Sequence, residues 1–131
     1  MTTQNTHEAL NQEVLKDIFP PHKADQFFEA LFGDSSEGSF DIELEFVGRK
    51  DNVLELEFQL KQRPGKCLAC NLTTGLPKVF SRHPIIDVPG VAQQIAGHFD
   101  RAKAARWELG KTMQISNHLH VVPLTITLDE N

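Results

Sequence analysis

Apolar and polar positions alternate most regularly between Phe40 and Lys61. Phe40, Ile42, Leu44 and Phe46 are separated by Asp41, Glu43 and Glu45, and Leu54, Leu56, Phe58 and Leu60 by Glu55, Glu57 and Gln59. A period of two sends successive side chains to opposite faces of a strand, so each run predicts a strand with one apolar and one charged face. Gly48-Arg-Lys-Asp-Asn52 between them reads as the turn of a hairpin. The natural register opposes Glu45 to Glu55 and Glu43 to Glu57, which sets like charges side by side.

Ahead of the hairpin the apolar spacing is helical. Leu10, Val14, Leu15 and Ile18 predict one helix, and Pro20-Pro21 breaks it. Ala24, Phe27, Phe28 and Leu31 form the stripe of a second, with Gly33 at its left-handed stop. After the hairpin, Arg63-Pro-Gly65 turns the chain. Lys66 to Pro77 then reads as irregular, and Lys78 to Ser81 as a short strand. The longest expected helix starts at Pro89 or Val91 and runs to Leu109, closed by Gly110, with Val91, Ile95, Ala102 and Leu109 along one face. His98 falls on that stripe and is expected in the core. Trp107 falls on the polar side, where it either covers the sheet's neighbour or marks a contact site. Met113 and Ile115, a turn at Asn117, and Val122, Leu124, Ile126 and Leu128 predict a closing hairpin, in which Pro123 marks an edge or a bulge. Together these elements predict one α+β domain over residues 1–131: two N-terminal helices, an antiparallel sheet of four or five strands, and one long helix packed on the sheet.

Composition narrows the class. Hydrophobic residues at 40% and charged residues at 24% are ordinary for a folded chain, and no apolar run approaches a membrane span. The first residues, Met1-Thr-Thr-Gln, lack the basic and apolar regions of an export signal, so a cytoplasmic protein with reduced thiols is expected. The net charge of −5 argues against nucleic acid as a partner, but it hides a division. Residues 1–58 carry thirteen acids against four bases, and residues 59–131 nine bases against five acids. From Gln59 to Ile86 there is no acid, while Lys61, Arg63, Lys66, Lys78 and Arg82 all fall inside.

That basic stretch surrounds Cys67-Leu-Ala-Cys70. Two thiolates on one tight turn can grip a metal at ~2.3 Å, or close into a disulfide. Zinc needs four ligands, and His83, with twelve residues between it and Cys70, has the spacing of a finger-type third ligand. Zinc is thus the candidate cofactor, held by Cys67, Cys70 and His83. His98, His118 and His120 are further nitrogen donors. The competing readings are plain packing of reduced thiols, and a thiol redox site at Cys67 and Cys70, where Lys66 would favour the thiolate. A redox site of the thioredoxin type needs a helix after the second cysteine, and Asn71 to Pro77 does not look helical. Gly110-Lys-Thr112 resembles the end of a phosphate-binding loop, but it follows a predicted helix where the cradle must precede one.

The string Arg63-Pro-Gly-Lys-Cys-Leu-Ala-Cys-Asn-Leu-Thr-Thr-Gly-Leu-Pro-Lys-Val-Phe-Ser-Arg-His-Pro84, preceded by Phe40-Asp-Ile-Glu-Leu44, resembles a family of small uncharacterised bacterial proteins over roughly residues 25 to 97. Some members carry a pancreas/duodenum homeobox label, which would imply DNA binding. The present chain lacks the tryptophan-phenylalanine-asparagine-arginine string of a homeodomain recognition helix, and its acidic balance suits DNA poorly. The resemblance implies no activity.

The residues therefore predict a non-enzymatic binding or adaptor domain with a Cys loop, and, as the alternative, a thiol redox protein. The five bases pose a geometric question. Folded back over Glu43, Glu45, Glu55 and Glu57, they would relieve the hairpin's own repulsion. Gathered away from it, they would form a patch for an acidic protein or an anionic ligand.

Overall fold

The alternating runs form the hairpin they predict. In the computed structural model, which describes residues 10–34, 38, 40–66, 75–98 and 102–130, strand β1 (Phe40–Lys50) turns at Asp51-Asn52 into β2 (Val53–Gln62). The register differs from the predicted one by two positions. Glu45 faces Glu57, Glu43 faces Gln59, and Glu55 faces Gly48. A bulge between Phe46 and Gly48 and a shorter turn account for the shift, and because the step is even, every side chain keeps its face. One like-charge opposition survives, between Glu45 and Glu57.

Helix α1 (Gln12–Ile18) begins where the Asn11 side chain accepts the Val14 N–H at 3.0 Å. Helix α2 (His22–Phe32) ends at Gly33, whose φ of 80° supplies the left-handed stop. Ala24, Phe27 and Phe28 are buried, but Leu31 is 46% exposed, so the apolar stripe stops one turn early.

Residues 76–109 depart from prediction. Lys78 to Ser81 is not a strand but part of helix α3 (Leu76–Arg82). Pro77 sits in its first turn, where an amide has no intrahelical partner, so proline permits the helix it was expected to prevent. Phe80 turns fully into the core. The expected long helix is two elements: α4 (Val88–Ala96), capped by Gly97, and strand β3 (Ala102–Leu109). Asp87 caps α4 from a left-handed conformation, φ 50°, accepting the Gly90 N–H at 3.2 Å.

Strand β3 exists because β5 (Leu119–Glu130) needs a second neighbour. The five-stranded antiparallel sheet runs β1-β2-β5-β3, with β4 (Met113–Gln114) also on β5, so β5 is paired on both sides. The fold is α+β. Pro123 lies inside this central strand, yet its backbone points toward β3 and β4 where those two strands are interrupted. Its carbonyl accepts the Gly110 N–H at 2.9 Å, and the missing N–H costs no ladder bond.

Even-numbered residues of β1, β2 and β5 make the buried face: Ile42, Leu44, Leu54, Leu56, Phe58, Leu60, Val122, Leu124, Ile126 and Leu128. Aromatic edges fasten the helices to it. Phe58 meets Phe19 at 5.3 Å and Phe80 at 5.5 Å between ring centroids, and Phe28 meets Phe40 at 4.9 Å. Trp107, expected on the polar side of a helix, is instead on a strand and packs partly buried against the core. Among the described residues no helix is long and apolar enough to cross a membrane.

Candidate functional site

The basic segment begins on β2, and its first two bases turn inward. Lys61 reaches across to β1 and pairs with Glu43 at 3.2 Å, because the two lie on one face of neighbouring strands, offset diagonally. Arg63, just past the end of β2, is held more firmly. Its Nε donates to Asp41 of β1 at 3.0 Å, one terminal nitrogen donates to Asp25 of α2 at 2.7 Å, and the guanidinium lies over the Phe28 ring, 5.4 Å from its centroid. Only 16% of the side chain is exposed. A planar fork that bridges two carboxylates and stacks on an aromatic ring ties helix to sheet, a role the sequence reading did not assign to it.

The other three bases are placed differently. Lys66, Lys78 and Arg82 are exposed and form no ion pair among the described residues. Lys78 and Arg82 are four apart on α3, hence on one helix face. Lys66 closes the turn after β2, its N–H bonded to the Arg63 carbonyl at 3.1 Å. Of the five bases, one touches the four hairpin glutamates and a second is taken by aspartates. The segment therefore neither folds wholly over the hairpin nor stands wholly apart from it.

Cys67 and Cys70 lie outside the described residues. His83 lies within them, as the cap of α3, half-buried with its ring edge-on to Phe27 at 4.9 Å. Its Nδ1 accepts the Ile85 N–H at 3.2 Å, which puts the proton of the neutral ring on Nε2. A metal on Nε2 would move that proton to Nδ1, and a metal on Nδ1 would displace the N–H, so coordination by either nitrogen would cost this bond. Among the described residues no three His, Cys, Asp or Glu side chains stand together as a metal site.

The remaining histidines separate. His98 is exposed, contrary to its expected place in the core, because the helix ends at Ala96 and the position no longer follows the buried stripe. His118 is exposed in the turn before β5, its N–H bonded to Ser116 Oγ at 3.1 Å. His120 is 4% exposed and points to the helix-covered face of β5, opposite Leu60 on β2. Burial holds its pKa below the ordinary histidine value, which favours the neutral ring. The even-numbered parity of β5 places it with Val122 and Leu124; Pro123, read as an edge or a bulge, left the face of His118 and His120 open in the sequence.

No family profile, characterised protein or solved structure matches the chain.

Proposed function

We propose that the protein is a binding domain that receives an acidic protein surface through Lys66, Lys78 and Arg82. The observation that carries this reading is the division of the five bases: two are neutralised by carboxylates of their own chain, and three are exposed and in no ion pair among the described residues. No acid occurs from Gln59 to Ile86 to offset them. Such charges raise association rates and select partners of opposite sign more than they add affinity.

Titration with poly-glutamate tests it. Binding should appear at low salt and fade toward ~0.5 M salt, since the Debye length is ~10 Å at 0.1 M and less than half of that there. Replacing all three (K66E/K78E/R82E) should weaken binding by about tenfold or more, or roughly 1.4 kcal/mol. Undiminished binding by the triple variant, or none by the unaltered protein at low salt, would refute the assignment.

A further inference from the structure

The four described helices pack on one face of the sheet, that of the even-numbered residues of β2 and β5. No described helix covers the other face. Strand register lines up its residues in rows: Met113, Val121, Gln59 and Glu43 in one, and Pro123, Glu57 and Glu45 in the next. Ile115 joins Leu119 and Lys61 in a third, its N–H bonded to the Leu119 carbonyl at 3.0 Å. The face is therefore divided lengthwise. Along β4 and β5 it is apolar: Met113 and Ile115 are 48% and 58% exposed, and Val121 beside them is buried, yet stands outside the core cluster. Along β2 and β1 it is acidic.

The acids at its centre lack cations. Glu45 and Glu57 stand opposite each other, and each is met by a neutral amide, Gln12 Nε2 at 3.5 Å from Glu45 and Gln59 Nε2 at 2.8 Å from Glu57. Neither they nor Glu55 form an ion pair among the described residues. The bases of this face stand at its ends: Lys61, paired with Glu43, at one, and Lys50 and Arg106, in the row of Val53 and Thr127, at the other. Like charges directly opposed destabilise a sheet, and a partner that brings cations relieves them. From the exposed apolar half and the uncompensated acidic half we infer that the helix-free face receives an amphipathic helix of another protein. Its apolar stripe covers Met113 and Ile115, and one basic flank lies over Glu45, Glu57 and Glu55.

The dimensions suit a helix. Strands ~4.8 Å apart put β1 about 14 Å from β4, a width that a helix of ~10–12 Å diameter spans with the reach of its lysines. Leu119 to Pro123 covers ~13 Å along β5, or about two and a half helical turns, so apolar residues at i, i+4 and i+7 match the apolar half. A second copy of the chain is the wrong occupant. Twofold packing of face on face lays the acidic half of one copy over the acidic or the apolar half of the other, and neither offers it a cation. Overlap confined to Met113 and Ile115 would cover far less than the ~800 Å² per partner of a stable dimer. The site is also separate from Lys78 and Arg82, which α3 carries on the helical side.

The test uses the full chain and a labelled helical peptide with leucines at i, i+4, i+7 and i+11 and lysines along one flank of that stripe. Binding is expected at low salt. A proline at the centre of the peptide, or glutamates in place of its lysines, should abolish it. M113S/I115S should weaken binding by about tenfold or more, and E45Q/E57Q by about threefold or more. E45Q/E57Q removes a repulsion, so its Tm should be unchanged or raised, which separates lost binding from lost folding. K78E/R82E, which tests the other surface, should leave the affinity unchanged. The inference is overturned if the peptide does not bind, if the proline peptide binds equally, or if either M113S/I115S or E45Q/E57Q binds as the unaltered protein does. A dimer in sedimentation that M113S/I115S dissociates would assign the face to a second copy and equally overturn it.

Discussion

His120 shows how much one position can carry that its neighbours do not. His118 is exposed in a turn and His120, two residues on, is closed into the core. Its depressed pKa has a thermodynamic consequence. The unfolded chain, with a histidine pKa near the model-peptide value of 6.5, binds a proton that the folded chain resists, so stability is full above that value and declines as pH falls below it. Denaturant midpoints at pH 7.5 and 5.5 should differ more for the unaltered protein than for His120→Gln. An equal difference would show that other groups cause the slope. Substituting His98, which is exposed, should leave both midpoints unmoved.

At the scale of elements, local signals settled beginnings and ends. Asn11, Gly33 and the Pro-containing first turn of α3 act through bonds within a few residues. The cap of α4 is the most exacting, because Asp87 adopts a positive φ and its carboxylate occupies the space a Cβ on Gly90 would fill. Gly90→Ala should therefore displace the capping side chain and cost about 1–2 kcal/mol, read as a lowered Tm. An unchanged or raised Tm, as expected of an ordinary Gly→Ala exchange in a helix, would show that the cap contributes nothing. The split of the expected long helix belongs to this scale too. Val91 and Ile95 follow a helical period in either case, but Gly97 ends α4, and Ala102 to Leu109 pair with β5.

Across the whole molecule, charge separation in the chain becomes cohesion in the fold. Arg63 joins Asp25 of α2 to Asp41 of β1 and shields Phe28, so one base near the end of the hairpin holds the helical layer to the sheet. Arg63→Ala should lower stability by about 1–3 kcal/mol, and Arg63→Lys should recover only part of it, since a point charge cannot bridge both carboxylates and stack on the ring. Full rescue by lysine would mean that the charge alone matters. With Lys61 and Arg63 committed in this way, the candidate binding surface shrinks from the five bases visible in the sequence to Lys66, Lys78 and Arg82.

The chain by itself determined the β1–β2 hairpin, the faces of its strands, the two N-terminal helices and the antiparallel α+β class. These rest on periodicities and caps that act over a few residues, and a register error of two leaves every face unchanged. Only the tertiary structure decided that Ala102 to Leu109 is a strand, that His98 is exposed, that Pro123 fits a central strand, and which bases are spent. Each of these depends on a partner distant in the chain: β5 beside β3, the interruption at Gly110 beside Pro123, Asp25 and Asp41 beside Arg63. Spacing along the chain carries no record of such partners, because side-chain periodicity reports which face is buried and not what lies against it.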